Sequence, residues 1–241
     1  NLIDGNVGKT INTGDSIGLD TTIFVESNTA LTIKNTVLKK DAVYSNVFLN
    51  RGAVNKTIDS NIVLSGINLS VNGNEKIGEH IYGGRGQLQF LGVKDLTIQD
   101  FFCQDGGNFQ FIINAGNWEN ILFQDIYIEA QKDGIDLLGG KNAIIRNYTA
   151  KTNDDGLFLG GNGFPAAQLE YVSDVSDVEI INYRYIDSSK VLAARGVFMY
   201  INSWADWQNG NTYQTGDFSL NDGKIYQMSN VAGASLVAAN A

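Results

Sequence analysis

The 241-residue sequence contains one cysteine, one proline and one histidine, and these shortages exclude several kinds of site. Cys103 has no second cysteine with which to form an internal disulfide. Because His80 is the only imidazole, a zinc site would need carboxylate ligands, and a Ser-His-Asp triad would have to include His80. No apolar run reaches about 18 residues, so we expect no transmembrane helix.

Positive charge is also scarce, since 17 Lys and Arg stand against 26 Asp and Glu, a formal net charge of −9. No basic cluster offsets this balance, so neither nucleic acid nor an anionic membrane is an expected partner. The 43% hydrophobic content and the 27 glycines exclude disorder, collagen and coiled coil. We therefore expect a folded chain with a substantial core.

A nine-residue unit recurs along the chain: a polar anchor, apolar-x-apolar, one further residue, a bend residue, and a second apolar-x-apolar. Clear copies begin at Asn61, Asp95, Asn120, Asn142 and Asp177, and a weaker copy begins at Ala30. The corresponding bend residues are Gly66, Asp100, Asp125, Asn147, Asn182 and Asn35. Asn, Asp and Gly tolerate a left-handed backbone, so each unit predicts two short strands joined by a one-residue bend.

The spacing of these copies predicts a parallel β-solenoid, because insertions lengthen some turns while the bend keeps one phase. A β-sandwich or barrel would not explain that fixed phase. A second strand series supports the repeat: Asn108–Phe111, Gly134–Leu137, Gly156–Leu159 and Gly196–Met199. The step from Ile135 to Leu157 is one turn, and the step from Leu157 to Val197 is one turn plus an insertion. The predicted inward residues are Ile135, Leu137, Leu157, Leu159 and Val197. We expect an all-β chain with a parallel β-helix over residues 1–204.

The pattern changes near Trp204. Residues 205–241 contain glycines and the turn Asn221-Asp-Gly, which predict small antiparallel hairpins. The small apolar residues from Ala232 onward predict an extended or truncated end. We expect a C-terminal hairpin extension over 205–241.

The densest acidic cluster combines Asp133 and Asp136 with Asp154 and Asp155. If one turn separates Asp133 from Asp155, the two would stack at about 4.8 Å, once a bend at Gly134 turns the Asp133 side chain outward. Carboxylates this close resist ionising together, so one pKa should rise, and an acid beside a carboxylate is the pair that glycosidic hydrolysis requires. The alternative is that each Asp-Gly only forms a turn.

The block Asp133-Gly-Ile-Asp136, followed by Asp154-Asp155, resembles the polygalacturonase family of glycoside hydrolases, within the pectate-lyase-like superfamily. The resemblance implies a right-handed parallel β-helix that cleaves glycosidic bonds with inversion. It assigns the general acid to Asp154 and water activation to Asp133 and Asp155. Arg195 stands where the family has a histidine, and the family's Arg-Ile-Lys segment has no counterpart, so polygalacturonate is not the expected substrate.

Further substrate-binding residues are expected around this cluster: Arg195 for an anionic substituent, Asp136, His80 at the rim, and Trp204 as a surface on which a sugar ring stacks. The hairpin region resembles small modules of chitin-binding domains and phage tail proteins. Together with the β-helix, it suggests a bacteriophage tailspike or another depolymerase of capsular, surface or cell-wall polysaccharide. That resemblance implies an extracellular location, secreted or on the virion, and a homotrimer.

Two other functions stay open. The first is a polysaccharide lyase on the same fold, in which the Asp residues hold Ca²⁺ against a uronate carboxylate and Arg195 abstracts the proton. The second is a non-catalytic adhesin that binds glycans. The hydrolase needs no cofactor or metal, and Ca²⁺ is expected only for the lyase.

Overall fold

The structure, a computed structural model, describes residues 8–40, 46–71, 86–106, 111–160, 175–186, 196–200, 218–221 and 224–227. The strands are β1 (Lys9–Asn12), β2 (Ser16–Leu19), β3 (Ile23–Val25), β4 (Ala30–Lys34), β5 (Val37–Lys40), β6 (Phe48–Asn50), β7 (Asp59–Ser65), β8 (Asn68–Ser70), β9 (Gly86–Asp105), β10 (Phe111–Ala130), β11 (Ile135–Thr152), β12 (Leu157–Gly160), β13 (Val175–Tyr185), β14 (Val197–Tyr200), β15 (Phe218–Asn221) and β16 (Lys224–Gln227). The described part of the chain has one short helix, α1 (Arg51–Asn55), and no helix long and apolar enough to cross a bilayer. The chain is therefore all-β, as predicted.

Fourteen of the described strands form one sheet, and their pairs are parallel. The longest path through the sheet runs β1-β4-β7-β9-β10-β11-β12-β14, so the chain order of the strands is also their spatial order. A tight hairpin cannot join parallel strands, so the chain must travel away and return before each pairing. This long parallel sheet is consistent with the predicted β-helix.

The strand register follows the repeat spacing. Ile113 of β10 pairs with Ile135 of β11. Ile135 pairs in turn with Leu157 of β12, at the same interval along the chain, and Leu157 pairs with Val197 of β14 beyond the insertion. Residues at the same phase of successive turns therefore lie side by side across the sheet.

Left-handed backbone positions separate the short strand segments. The predicted bend residues all have positive φ, between 47° and 73°. The sequence did not predict that the anchors are left-handed as well, with φ between 53° and 63° at Asn61, Asp95, Asn120, Asn142 and Asp177. Each nine-residue unit thus begins at one left-handed residue and bends at another.

Amide side chains at these left-handed positions form hydrogen bonds from one turn to the next. The donor–acceptor pairs are Asn120 to Asp95, Asn142 to Asn120, Asn147 to Asp125 and Asn182 to Asn147, at 2.7–3.0 Å. An asparagine can donate and accept and so continue such a ladder, whereas an ionised aspartate only accepts. The residue types that permit the bend therefore also link the turns.

The core consists of the inward rows predicted from the sequence. Ile135, Leu137 and Leu157 are fully buried, Leu159 is buried, and Val197 is partly buried against them. Each of these residues packs beside its counterpart in the next turn. The predicted phase of the inward residues is confirmed.

The predicted alignment of one segment in the second strand series is wrong. Phe111 was predicted to align with Leu137, but it pairs with Gly86, and Ala115 occupies the place beside Leu137. The error is a slip of four residues. An even slip keeps the same side chains facing inward, so alternation alone cannot detect it.

The anchor of the weak first copy is misplaced, because the left-handed residue is Asn28 rather than Ala30, whereas the bend at Asn35 and the register of the following strand, in which Val37 pairs with Asn68, are as predicted. Asn28 has a φ of 62°, and its Oδ1 accepts a hydrogen bond from Asn61 Nδ2 at 3.0 Å. Ala30 pairs with Val63, two residues beyond the anchor of the next copy. This slip is again even, so Leu31 and the other inward residues still match the pattern.

Strands β15 and β16 form a separate antiparallel pair, in which Phe218 lies beside Gln227 and Asn221 beside Lys224. They fall within the stretch predicted to form hairpins. The proposed boundary near residue 204 lies outside the described residues.

Replacing Ile135 with alanine tests the inward phase. Ile135 is fully buried in the continuous core, so we expect the free energy of unfolding to fall by about 2–5 kcal/mol. Ile144→Ala is the matched control, because Ile144 lies in the same strand with 39% of its surface exposed. Denaturant unfolding should give it a loss of about 0.5 kcal/mol or less. Equal losses for the two variants would contradict the assigned phase.

Candidate active site

The acidic cluster lies on two turns that are stacked in register. Residues 131–134 connect β10 to β11, and residues 153–156 connect β11 to β12. Gly134 N donates to Asp155 O at 2.9 Å, and Ile135 N donates to Gly156 O at 3.1 Å. The ladder between the strands therefore continues through the turns, which confirms the predicted stacking of Asp155 on Asp133.

Three carboxylates meet at these turns. One oxygen atom from each of Asp133, Asp154 and Asp155 lies within 4.8 Å of the others. Asp133 Oδ1 also accepts a hydrogen bond from Asp155 N at 2.9 Å. This bond fixes the Asp133 side chain over the main chain of the next turn, so the cluster has a defined geometry.

The three carboxylates differ in accessibility. Asp133 is 9% exposed and Asp155 is 3% exposed, whereas the side chain of Asp154 is 25% exposed. Asp154 is therefore the member of the cluster that a molecule in solution reaches most easily. Asp133 and Asp155 lie beneath it.

Lys132 adds a positive charge to the accessible side of the cluster. Its Nζ lies 2.6 Å from Asp154 Oδ2, and 41% of its side chain is exposed. The hydrogen bond to Asp154 raises the pKa of Lys132, and the charges of Asp154, Asp133 and Asp155 act in the same direction. Lys132 therefore stays protonated and neutralises part of the cluster's negative charge.

The carboxyl group of Asp133 has a raised pKa, as a group that donates a proton near neutral pH requires. The pKa of Asp133 is raised to about 7: burial is the largest cause and the charges of Asp154 and Asp155 add to it, while the hydrogen bond from Asp155 N and the charge of Lys132 lower the pKa. The sequence predicted a raised pKa from charge repulsion. The pKa does rise, but the larger cause is burial.

Asp136 is one of the most deeply buried polar residues in the described structure. It is 1% exposed, and no described residue forms a hydrogen bond with either of its carboxylate oxygens. Burial raises its pKa well above the usual value, with a smaller contribution from the neighbouring aspartates. Burial therefore favours the neutral form of Asp136, and its substrate-binding role stays a prediction.

Sequence reasoning missed the tyrosines beneath the acidic turns. Tyr148 Oη donates to Gly156 O at 2.6 Å, and Tyr183 Oη donates to Gly196 O at 2.5 Å. A signal was present, because the bends at Asn147 and Asn182 are each followed by tyrosine. The clear earlier copies carry Ile67, Phe101 and Ile126 at that place.

Three predicted substrate-binding residues, His80, Arg195 and Trp204, lie outside the described residues. The structure thus brings together Asp133, Asp154 and Asp155 and places Asp136 on the strand that follows Asp133. Comparisons with protein-family models, curated proteins and solved structures found no match. The resemblance to polygalacturonases therefore depends on the motif residues and the parallel register alone.

The raised pKa of Asp133 predicts a pH-dependent stability. A carboxyl with a higher pKa in the folded state stabilises the chain at low pH, and this contribution is lost as the pH rises through about 7. Each pKa unit corresponds to about 1.4 kcal/mol, so the free energy of unfolding should fall by a few kcal/mol between about pH 4 and about pH 8.

Asp133→Asn should flatten this decline, because asparagine does not ionise and its oxygen still accepts the Asp155 amide. At about pH 8 the variant should be more stable than the wild type, as measured by denaturant unfolding. Asp100→Asn is the matched control, because it makes the same chemical change at an exposed bend. Equal slopes for wild type and Asp133→Asn would exclude the raised pKa.

Proposed function

We propose that the chain is a right-handed parallel β-helix that hydrolyses glycosidic bonds in a complex polysaccharide. One observation carries this proposal: two stacked turns bring three carboxylates together, these differ in accessibility, and one of them, Asp133, has a raised pKa. Glycosidic hydrolysis uses a protonated carboxyl to protonate the leaving oxygen, and a second carboxylate to activate water or attack the sugar. Asp133, Asp154 and Asp155 supply both kinds of group.

Accessibility favours Asp154 as the group that protonates the leaving oxygen. The side chain of Asp154 is 25% exposed, whereas Asp133 is buried, so a sugar could reach Asp133 only if neighbouring atoms moved. Asp154 must first take up a proton, so its ion pair with Lys132 must open. We propose that the substrate draws the exposed Lys132 ammonium away, and that the proton held near neutral pH by Asp133 becomes available to Asp154.

The anomeric outcome is a separate question. The resemblance implies inversion, for which the two carboxyl groups usually lie about 6.5–9.5 Å apart, whereas about 5–5.5 Å is usual for retention. One oxygen from each of the three carboxylates lies within 4.8 Å of the others, which is shorter than the separation usual for inversion. Proton NMR of the first-formed anomer distinguishes the two courses.

The substrate and setting of the proposed enzyme follow from the resemblance. A capsular, surface or cell-wall polysaccharide is the expected substrate, with Arg195, His80 and Trp204 as further contacts. The same resemblance supports an extracellular protein, secreted or on a phage particle, that assembles as a homotrimer.

A Ca²⁺-dependent lyase is the second candidate, and the carboxylate spacing is the observation that favours it. Ca²⁺ binds six to eight oxygen ligands, and one oxygen from each of Asp133, Asp154 and Asp155 lies within 4.8 Å of the others. These residues would hold the ion against a uronate carboxylate, and Arg195 would abstract the proton. Loss of cleavage in chelator and an unsaturated, ultraviolet-absorbing product would identify this reaction.

Asp154→Asn tests the hydrolase most sharply. Asparagine is nearly isosteric with aspartate but cannot deliver a proton, so we expect turnover to be abolished while folding and glycan binding persist. The measurement is the release of reducing ends from a panel of capsular and cell-wall polysaccharides. Asp100→Asn makes the same chemical change at an exposed bend and should retain full activity.

Other results would exclude particular proposals. Activity of Asp154→Asn within about tenfold of wild type would remove Asp154 from the acid role. If wild type binds a glycan of the panel but releases no product from it, the chain is an adhesin and both catalytic proposals fail.

A further inference from the structure

The two glycines that follow the acidic residues, Gly134 and Gly156, face the hydroxyls of Tyr148 and Tyr183. Tyr148 of β11 is fully buried, and its Oη donates to Gly156 O at 2.6 Å. Tyr183 of β13 pairs with Tyr148 in the next turn, and its Oη donates to Gly196 O at 2.5 Å. The same contact is therefore made in two successive turns.

The tyrosine rings reinforce each other. The ring centroids of Tyr148 and Tyr183 lie 5.1 Å apart with an interplanar angle of 27°. Offset stacking of this kind adds to the burial of each ring. The equivalent residue in the preceding turn is Ile126, which has no hydroxyl. Tyrosine therefore replaces an aliphatic residue in the turns next to the acidic cluster.

The tyrosines explain the Asp-Gly sequences. A Cβ atom on Gly134 would overlap Tyr148 Oη, and a Cβ atom on Gly156 would overlap Tyr183 Oη. Neither glycine is among the residues with positive φ. The glycines are therefore required by the space that the tyrosine hydroxyls and the carbonyl oxygens of the next turn occupy, rather than by a left-handed turn.

The contact from Tyr148 reaches the hydrogen bonds that shape the cluster. Gly156 O accepts from both Tyr148 Oη and Ile135 N, and the preceding residue, Asp155, donates its N–H to Asp133 Oδ1. Tyr185 Oη binds Thr152 O at the other end of the same turn. The main chain between residues 152 and 156 is thus held at both ends by tyrosine.

We infer that Tyr148 and Tyr183 are positioning residues of the proposed active site, which hold the acidic turns so that Asp133 and Asp155 keep their relative placement. The inference rests on the proposed function for its catalytic meaning. Catalysis depends steeply on such placement, since a shift of about 1 Å can cost about a hundredfold in rate.

Tyr148→Phe removes the hydroxyl and keeps the stacked ring. Gly156 O retains its bond from Ile135 N, so no buried acceptor is left unpaired. We expect the turnover number to fall by about tenfold or more with KM within about twofold, because the substrate-contacting side chains remain. Tyr127→Phe is the control, since Tyr127 is half-buried and its hydroxyl bonds the side chain of Glu129.

Amide hydrogen exchange tests the inference without a substrate, because it measures how well each main-chain hydrogen bond is protected. In Tyr148→Phe the amides of Asp155 and Ile135 should exchange faster, while the amide of Ile145 in the core of β11 should be unchanged. Tyr127→Phe should leave all three unchanged. Faster exchange confined to the acidic turn supports the inference even if wild type cleaves no glycan, a result that would remove only the proposed function.

Unchanged exchange at Asp155 in Tyr148→Phe would overturn the inference, as would equal acceleration at Ile145, which indicates a general loss of stability. Tyr183→Phe gives a second, independent test, because Tyr183 is only partly buried and its loss endangers folding less. It should accelerate exchange at Leu157, whose amide shares the Gly196 carbonyl with Tyr183. No change at Leu157 would count equally against the inference.

Discussion

Main-chain hydrogen bonding between successive turns is the constraint on which the rest of the structure depends. Parallel, in-register strands place residues of the same phase about 4.8 Å apart. Identical or similar side chains therefore stack in rows: aliphatic residues inside, amides at the left-handed corners, and tyrosines beneath the acidic turns. The candidate site is where this stacking brings three carboxylates together.

Stacked carboxylates repel each other and so lower the stability of the fold, whereas stacked isoleucines or asparagines do not. The chain offsets this repulsion in three ways: Asp133 is buried with a raised pKa, Lys132 pairs with Asp154, and the amide of Asp155 binds Asp133. The continuous ladder on both sides of the turns holds the group together. Other corners of the sheet also carry aspartates, such as Asp100 and Asp125, but those residues are left-handed bends, whereas Asp133, Asp154 and Asp155 are not. A left-handed bend therefore does not account for the cluster.

Much of the fold could be predicted because its signals are periodic. Residues that tolerate left-handed backbone mark the bends, and the regular step between turns places Asp155 on Asp133. Even slips escaped detection at Phe111 and Ala30, since alternation fixes the face and not the register. The ion pair of Lys132, the burial of Asp136 and the tyrosine contacts depend on side-chain placement and on what covers each face, which a repeat pattern does not encode.

The stacked turns create one carboxyl group, Asp133, that holds a proton near neutral pH. Carbon-13 NMR titration of the aspartate side chains measures this directly. We expect Asp133 to titrate with a pKa of about 7, and we expect Lys132→Met, which removes the adjacent ammonium, to move this titration to higher pH. Titration of Asp133 below about 5, in the range of ordinary carboxyls, would show that the stacked turns do not raise its pKa.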